Sequence, residues 1–149
     1  MEFTIRPVEE PDGSEWIRMR REVFGDSEDH EGEVRAYFAG SATAPTFVAE
    51  RPSGSLVAFI ELSVRSYAEG CVTGPVGYIE GWYVDPDVRQ RGLGRALVQT
   101  AETWARDAGY HEMGSDALLG NELSVQAHAA LGYREVCRIV CFRRVLQDS

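Results

Sequence analysis

From Val84 to Ala96 the chain reads Val-Asp-Pro-Asp-Val-Arg-Gln-Arg-Gly-Leu-Gly-Arg-Ala, a basic, glycine-broken loop running into a helix. Leu93, Leu97, Thr100 and Trp104 recur at spacings of four, three and four, the period of one helix face. A helix N-terminus has unpaired N–H groups and the positive end of the helix dipole, so it is a ready anion site. Gly92 and Gly94 lack the Cβ that would hold a bound phosphate away from the backbone. Arg89, Arg91 and Arg95 form a basic island in a chain of net charge −9 that contains no lysine. Two familiar phosphate loops do not fit. The dinucleotide fingerprint needs a third glycine, and the P-loop needs Lys followed by Ser or Thr where this chain has Arg95-Ala96.

Glu80 is the second group of chemical interest. It interrupts the apolar run Tyr78-Ile79-Glu80-Gly81-Trp82-Tyr83-Val84, where a buried carboxylate is costly unless paired or functional. Three readings stand: a general base acting through water, an anchor for a cationic group, or a structural ion pair. Asn121, Ser124 and His128 share one helix face at i, i+3 and i+7, while Leu123, Ala127, Ala130 and Leu131 line another. A histidine there exchanges protons near neutral pH or is a satisfied structural residue. Cys71, Cys137 and Cys141 have no metal-ligand spacing and read as buried or half-buried free thiols, so no metal is expected.

These groups must be held by a sheet and its helices. Phe3–Val8 reads as a first strand. Ser14 is the expected N-cap of a helix to Val23 that ends at Gly25, and a short helix is expected over Val34–Phe38 after an acidic loop, Asp26–Glu33. Thr46–Glu50 and Leu56–Arg65 form a hairpin about the turn Arg51–Gly54, and Val76–Val84 is the central strand. The helix after the glycine loop runs to Ala108 before Gly109, Glu112–Ser115 is a short strand, and Asn121 opens a helix to Leu131 with Gly132 as its cap. Arg134–Val145 reads as a long final strand bearing Cys137 and Cys141 on one face. The pattern predicts a single α/β (α+β) domain over residues 1–149 with a mixed central sheet flanked by helices.

Composition narrows the partners. At 149 residues and 44% apolar content, the chain suits one globular domain. Its longest apolar stretch, Leu56–Ile60, stops at Glu61, far short of a membrane span. No N-terminal apolar leader is seen, and a cytoplasmic location is expected. Residues 1–35 hold eleven acidic residues against five arginines, a field that repels nucleic acid and acidic membrane surfaces. That field attracts cations, or serves only solubility.

Arg89-Gln90-Arg91-Gly92-Leu93-Gly94, preceded by Val84-Asp85-Pro86, resembles the pyrophosphate-binding motif of the Gcn5-related N-acetyltransferases, Arg/Gln-x-x-Gly-x-Gly/Ala. The predicted elements match that fold along nearly the whole chain. The resemblance implies acetyl-CoA as co-substrate and direct acetyl transfer in a ternary complex. The backbone of Trp82, Tyr83 and Val84 is implied to meet the pantetheine arm and the thioester carbonyl. Arg89, Gln90, Arg91, Gly92, Leu93, Gly94 and Arg95 are implied to surround the pyrophosphate. Asn121-x-x-Ser124-x-x-x-His128-x-x-x-Gly132-Tyr133 is a second family landmark, with Asn121 implied in cofactor binding. His128 stands where many relatives carry a tyrosine implied as the acid for the departing thiolate.

Ile79-Glu80-Gly81, Glu112–Asp116 and the ending His128-Ala-Ala-Leu-Gly-Tyr look like those of the small, usually dimeric aminoglycoside 6′-N-acetyltransferases. In that group the equivalents of Glu80 and Asp116 contact the antibiotic's amines and hydroxyls. Tyr67 matches an aromatic substrate contact, and Phe24 stands about where relatives carry a tryptophan. Cys137 occupies the place of an acidic residue that reaches substrate, with Glu135 two residues earlier. The implied function is acetylation of an aminoglycoside 6′-amine, a resistance activity, by a homodimer. The alternatives are a same-fold transferase for another amine, such as a polyamine, small metabolite or protein terminus, and a non-catalytic acetyl-CoA-binding regulatory module.

Overall fold

The computed structural model describes residues 2–147, in two compact units, Met1–Asp116 and Ala117–Ser149. The first unit is built on a five-stranded sheet, β1 (Thr4–Pro7), β2 (Thr46–Glu50), β3 (Leu56–Arg65), β4 (Val76–Val84) and β5 (Met113–Ser115), paired in that order. The first four strands run antiparallel, and β5 lies parallel to β4. The mixed α/β architecture is the one the sequence pattern predicts. No helix of the described residues is long and apolar enough to cross a membrane.

Successive strand residues point to opposite faces, and each face has its own helix. On one face, Trp16 and Met19 of α1 (Gly13–Phe24) are buried with Val48 and Phe59, and Val34 of α2 (His30–Ala36) joins them. On the other lies α3 (Leu93–Asp107), whose buried stripe is Leu93, Leu97, Val98, Ala101 and Ala105. Thr100 and Trp104, assigned to that stripe by spacing, instead border an open groove with Ile5 and Phe47. Between the helices, Leu56–Ile60 is buried residue after residue, as a strand covered on both sides must be.

Three local expectations are corrected. Asp12, not Ser14, stands at the N-cap position of α1 without a side-chain bond to it; a short 3₁₀ turn (Glu10–Asp12) leads into the helix, and the Asp12 carboxylate accepts from the Glu9 N–H instead. The second helix starts at His30 inside the supposed acidic loop, because the Asp29 carboxylate caps it by accepting from Gly32 N at 3.0 Å. A π-type turn, Tyr37–Ser41, then breaks at the left-handed Gly40.

The second unit contains α4 (Glu122–Ala130), opened as expected by Asn121, whose side chain accepts from Ser124 N. The predicted final strand is absent. Residues 134–147 are outside any helix or strand, and Ile139, Val140, Phe142, Val145 and Leu146 are all exposed. A β-prone run makes a strand only where another strand supplies hydrogen bonds, and none does so among the described residues. Cys137 and Cys141 are accordingly exposed rather than buried, while Cys71 is half-buried.

Candidate active site

The site begins with a register shift. Glu61 of β3 faces Gly81 while Leu62 faces Ile79, so Glu80 is an extra residue in β4. Tyr78, Glu80 and Gly81 therefore turn toward the α1 face, and the alternation flips so that Trp82 turns toward α3. Phe24 presses on Gly81, where an added Cβ would stand 2.5 Å from its ring. Trp82 presses on Gly94, where a Cβ would stand 3.2 Å from the indole. Gly94 thus makes room for Trp82, a reason the sequence did not suggest.

The bulge is buttressed from α1. The Glu61 carboxylate accepts from Trp16 Nε1 at 2.9 Å and pairs with the buried Arg20. Burial pushes the Glu61 carboxyl up, while Arg20 and Trp16 act in the opposite sense. Arg20 Nε donates to His30 Nδ1 at 3.2 Å, so the neutral ring carries its proton on Nε2, 2.6 Å from the Gly25 carbonyl. The Arg20 guanidinium also sits 4.9 Å from the Phe24 ring centre.

β4 pairs with β5 only from Gly77 to Ile79 and continues to Val84, so residues 80–84 have no β5 partner. At this parting, five side chains of the first unit interlock. Arg65 Nη2 donates to Glu80 Oε1 at 2.7 Å and Nε to Oε2 at 2.9 Å, while Ser63 Oγ also donates to Oε2. The guanidinium lies 3.6 Å from the Tyr78 ring centre, and the Tyr78 hydroxyl donates to Asp116 Oδ2 at 2.7 Å. Burial pushes the Tyr78 phenol up and its bond to Asp116 adds to this, so it stays protonated. Burial also pushes the Glu80 carboxyl up, but Arg65 and Ser63 outweigh it and hold the group below its ordinary value. Glu80 is ionised and paired at neutral pH. Arg65, Ser63 and Tyr78 were not singled out from sequence; only the register across β3 and β4 reveals them.

The basic loop leaves the end of β4. Arg89 Nε donates to the Val84 carbonyl at 2.8 Å, Arg91 pairs with Glu2, and Arg95 is exposed in the first turn of α3. Gln90 and Gly92 both adopt left-handed backbone, at φ 66° and 80°. Gly92 is the N-cap of α3 and supplies no side-chain bond, so the first-turn N–H groups, including Leu93's, are not capped by it. Such a turn can receive an anion. Tyr83 faces α1, packed on Phe59, and burial pushes its phenol up.

Of the remaining expected residues, Tyr67 is exposed with its hydroxyl donating to Glu69, and Asp116 is exposed beside Tyr78. In the second unit, His128 Nδ1 lies 2.7 Å from the Ser124 carbonyl, which places the neutral ring's proton on Nδ1. Its ring meets Tyr133 edge-on. Leu123, expected on an apolar face, is exposed, and Glu135 pairs with Arg138.

Known proteins resemble this chain in sequence and in fold. The model of the acetyltransferase (GNAT) family matches residues 13–133. An aminoglycoside N(6′)-acetyltransferase type 1 of Klebsiella aerogenes is 42% identical over 146 residues, covering 95% of this chain and 96% of its own. The crystal structure of the 6′-N-acetyltransferase AAC(6′)-Ih from Acinetobacter baumannii superposes with a TM-score of 0.88 at 32% identity, covering 97% of this chain and 99% of its own. AAC(6′)-Iy in complex with the bisubstrate analogue CoA-S-monomethyl-acetylneamine matches at TM-score 0.88 and 28% identity, with the same coverage. The chain belongs to the GNAT family of acetyltransferases and is closely related to the aminoglycoside 6′-N-acetyltransferases.

Proposed function

We propose that the protein transfers the acetyl group of acetyl-CoA directly to the 6′-amine of an aminoglycoside bound beside it. One observation carries the reading: two carboxylates, Glu80 and Asp116, stand linked through Arg65 and Tyr78 where β4 and β5 part. An acceptor carrying several ammonium groups matches spaced carboxylates. The relative from Klebsiella aerogenes, named for the same acetyl transfer, adds support.

The donor side fits the cofactor by its own geometry. Left-handed Gln90 and Gly92 and the first turn of α3 offer N–H groups to a pyrophosphate, and Arg89, Arg91 and Arg95 supply charge. The peptide groups of Trp82, Tyr83 and Val84 lie on the stretch of β4 without a β5 partner, suited to an amide-bearing arm and a carbonyl oxygen. The thioester supplies the acetyl group. Glu80, ionised and already engaged by Arg65, suits anchoring an ammonium better than taking its proton. Phe24, beside Gly81, and Tyr67 complete the acceptor contacts in this reading. Asn121 is kept as a cofactor contact and His128 as proton source for the thiolate, both carried by the family landmark.

The working form in this proposal is a homodimer. Exposed Ile139, Val140 and Phe142 lie on an unpaired stretch that a second chain can cover. Three free cysteines fit a reducing cytoplasm.

The test is steady-state turnover of acetyl-CoA with a panel of amines. Turnover with kanamycin or tobramycin, with Glu80→Ala and Asp116→Ala raising the acceptor KM, is the expected result. Turnover confined to a polyamine or protein terminus replaces the acceptor, and binding of acetyl-CoA without any turnover replaces catalysis by regulation.

A further inference from the structure

Glu80 does not meet an incoming cation as a bare carboxylate. Both its oxygens already accept from Arg65, and one accepts from Ser63 as well. Arg65 is half-exposed at the end of β3 and its guanidinium lies over the Tyr78 ring, whose hydroxyl donates to Asp116. Its single positive charge therefore lies between the two carboxylates that the proposed function assigns to the acceptor. Three charged groups leave this cluster one net negative charge instead of two.

We propose that Arg65 is a specificity-determining residue that sets how strongly the acceptor site favours highly charged amines. The inference rests on the acceptor reading of Glu80 and Asp116. A guanidinium fixed on Glu80 partly cancels the attraction for each ammonium group of the acceptor, and the cancellation grows with the number of those groups. The contact with the Tyr78 ring and the paired bonds to Glu80 fix the position of the guanidinium. Cation–π and bidentate contacts both favour arginine over lysine for that placement.

The experiment is a charge ladder. Acceptor KM is measured for amines bearing from one to several ammonium groups, with wild-type enzyme and with Arg65→Gln, Arg65→Lys, Glu80→Gln and Asp116→Asn, above neutral pH. Arg65→Gln is expected to lower KM for the most charged acceptors about fivefold, the equivalent of one pair at 4 Å in water. The gain should shrink toward the monoamine and fade at high salt. Arg65→Lys should restore the wild-type ladder, because it keeps the charge and loses only the fork. A merely structural role for Arg65 changes KM equally along the ladder, or changes none of it, and either result overturns the proposal. If Glu80→Gln and Asp116→Asn also leave KM unchanged, the acceptor reading beneath it falls too. If those two raise KM while Arg65→Gln gives a flat ladder, only the proposal about Arg65 falls.

Discussion

The basic loop and the carboxylate cluster lie at opposite ends of the parting in β4, and they are made in different ways. The loop, Arg89–Arg95, is contiguous and is built mainly of backbone: two left-handed residues and a helix start without a side-chain cap. The cluster joins Ser63 and Arg65 of β3, Tyr78 and Glu80 of β4, and Asp116 just past β5, and is built of side chains. A backbone site tolerates changes of side chain that keep its conformation. A side-chain site is sensitive to each partner, because removing one leaves another charged group half-buried. The donor end should therefore respond to conformational substitutions and the acceptor end to chemical ones.

The largest effect should come from removing what supports both ends. Glu61→Ala leaves Arg20 buried without its carboxylate under the bulge, which should cost about 3 kcal/mol or more of stability. Chemical denaturation measures it, and an unchanged midpoint would show that the bulge does not depend on this pair. Next, Glu80→Ala should raise the acceptor KM by about tenfold or more while acetyl-CoA affinity, read by calorimetry, stays within error. Gly92→Val should do the reverse, since a β-branched residue resists φ of 80°; about tenfold weaker acetyl-CoA binding is expected. If either variant damages both substrates equally, the two ends are not separable.

A smaller effect is expected at Gly94→Ala. The added methyl must displace the Trp82 indole by a few tenths of an ångström, which should weaken cofactor binding only a few-fold. The smallest is a pH effect. Arg65 and Ser63 hold the Glu80 carboxyl below its ordinary value. Its contribution to stability is complete above the ordinary carboxylate range and is lost only as pH falls through the lowered folded value. Acceptor KM should accordingly stay level from neutral pH down to that range. Arg65→Gln should move the rise in KM to higher pH, and identical profiles would separate Glu80's ionisation from Arg65.

What could be read from the chain follows the same division. Leu93, Leu97 and the glycine loop announce helix and anion site because their spacing is local. Ser14 does not cap because the 3₁₀ turn Glu10–Asp12 starts α1 at Gly13, which leaves Ser14 inside the helix. The acidic stretch at Asp26–Glu33 looked like loop by charge alone, yet Asp29 caps a helix within it. The final strand was misread for a different reason. Residues 134–145 are rich in β-branched and apolar residues, but that composition says nothing about whether a neighbour pairs the backbone.

By itself, then, the sequence determined the mixed sheet, the phosphate-type loop with its arginines, and the presence of a costly carboxylate at Glu80. Each of these is written in adjacent residues or in a single period. Only the tertiary structure decided that Glu80 is the extra residue of a bulge and that Gly94 yields to Trp82. It also decided that Arg65, fifteen residues before Glu80, reaches that carboxylate while resting on Tyr78. Those outcomes depend on the register of β3 against β4. A shift of one residue turns every side chain to the opposite face, and no local pattern in either strand specifies it alone.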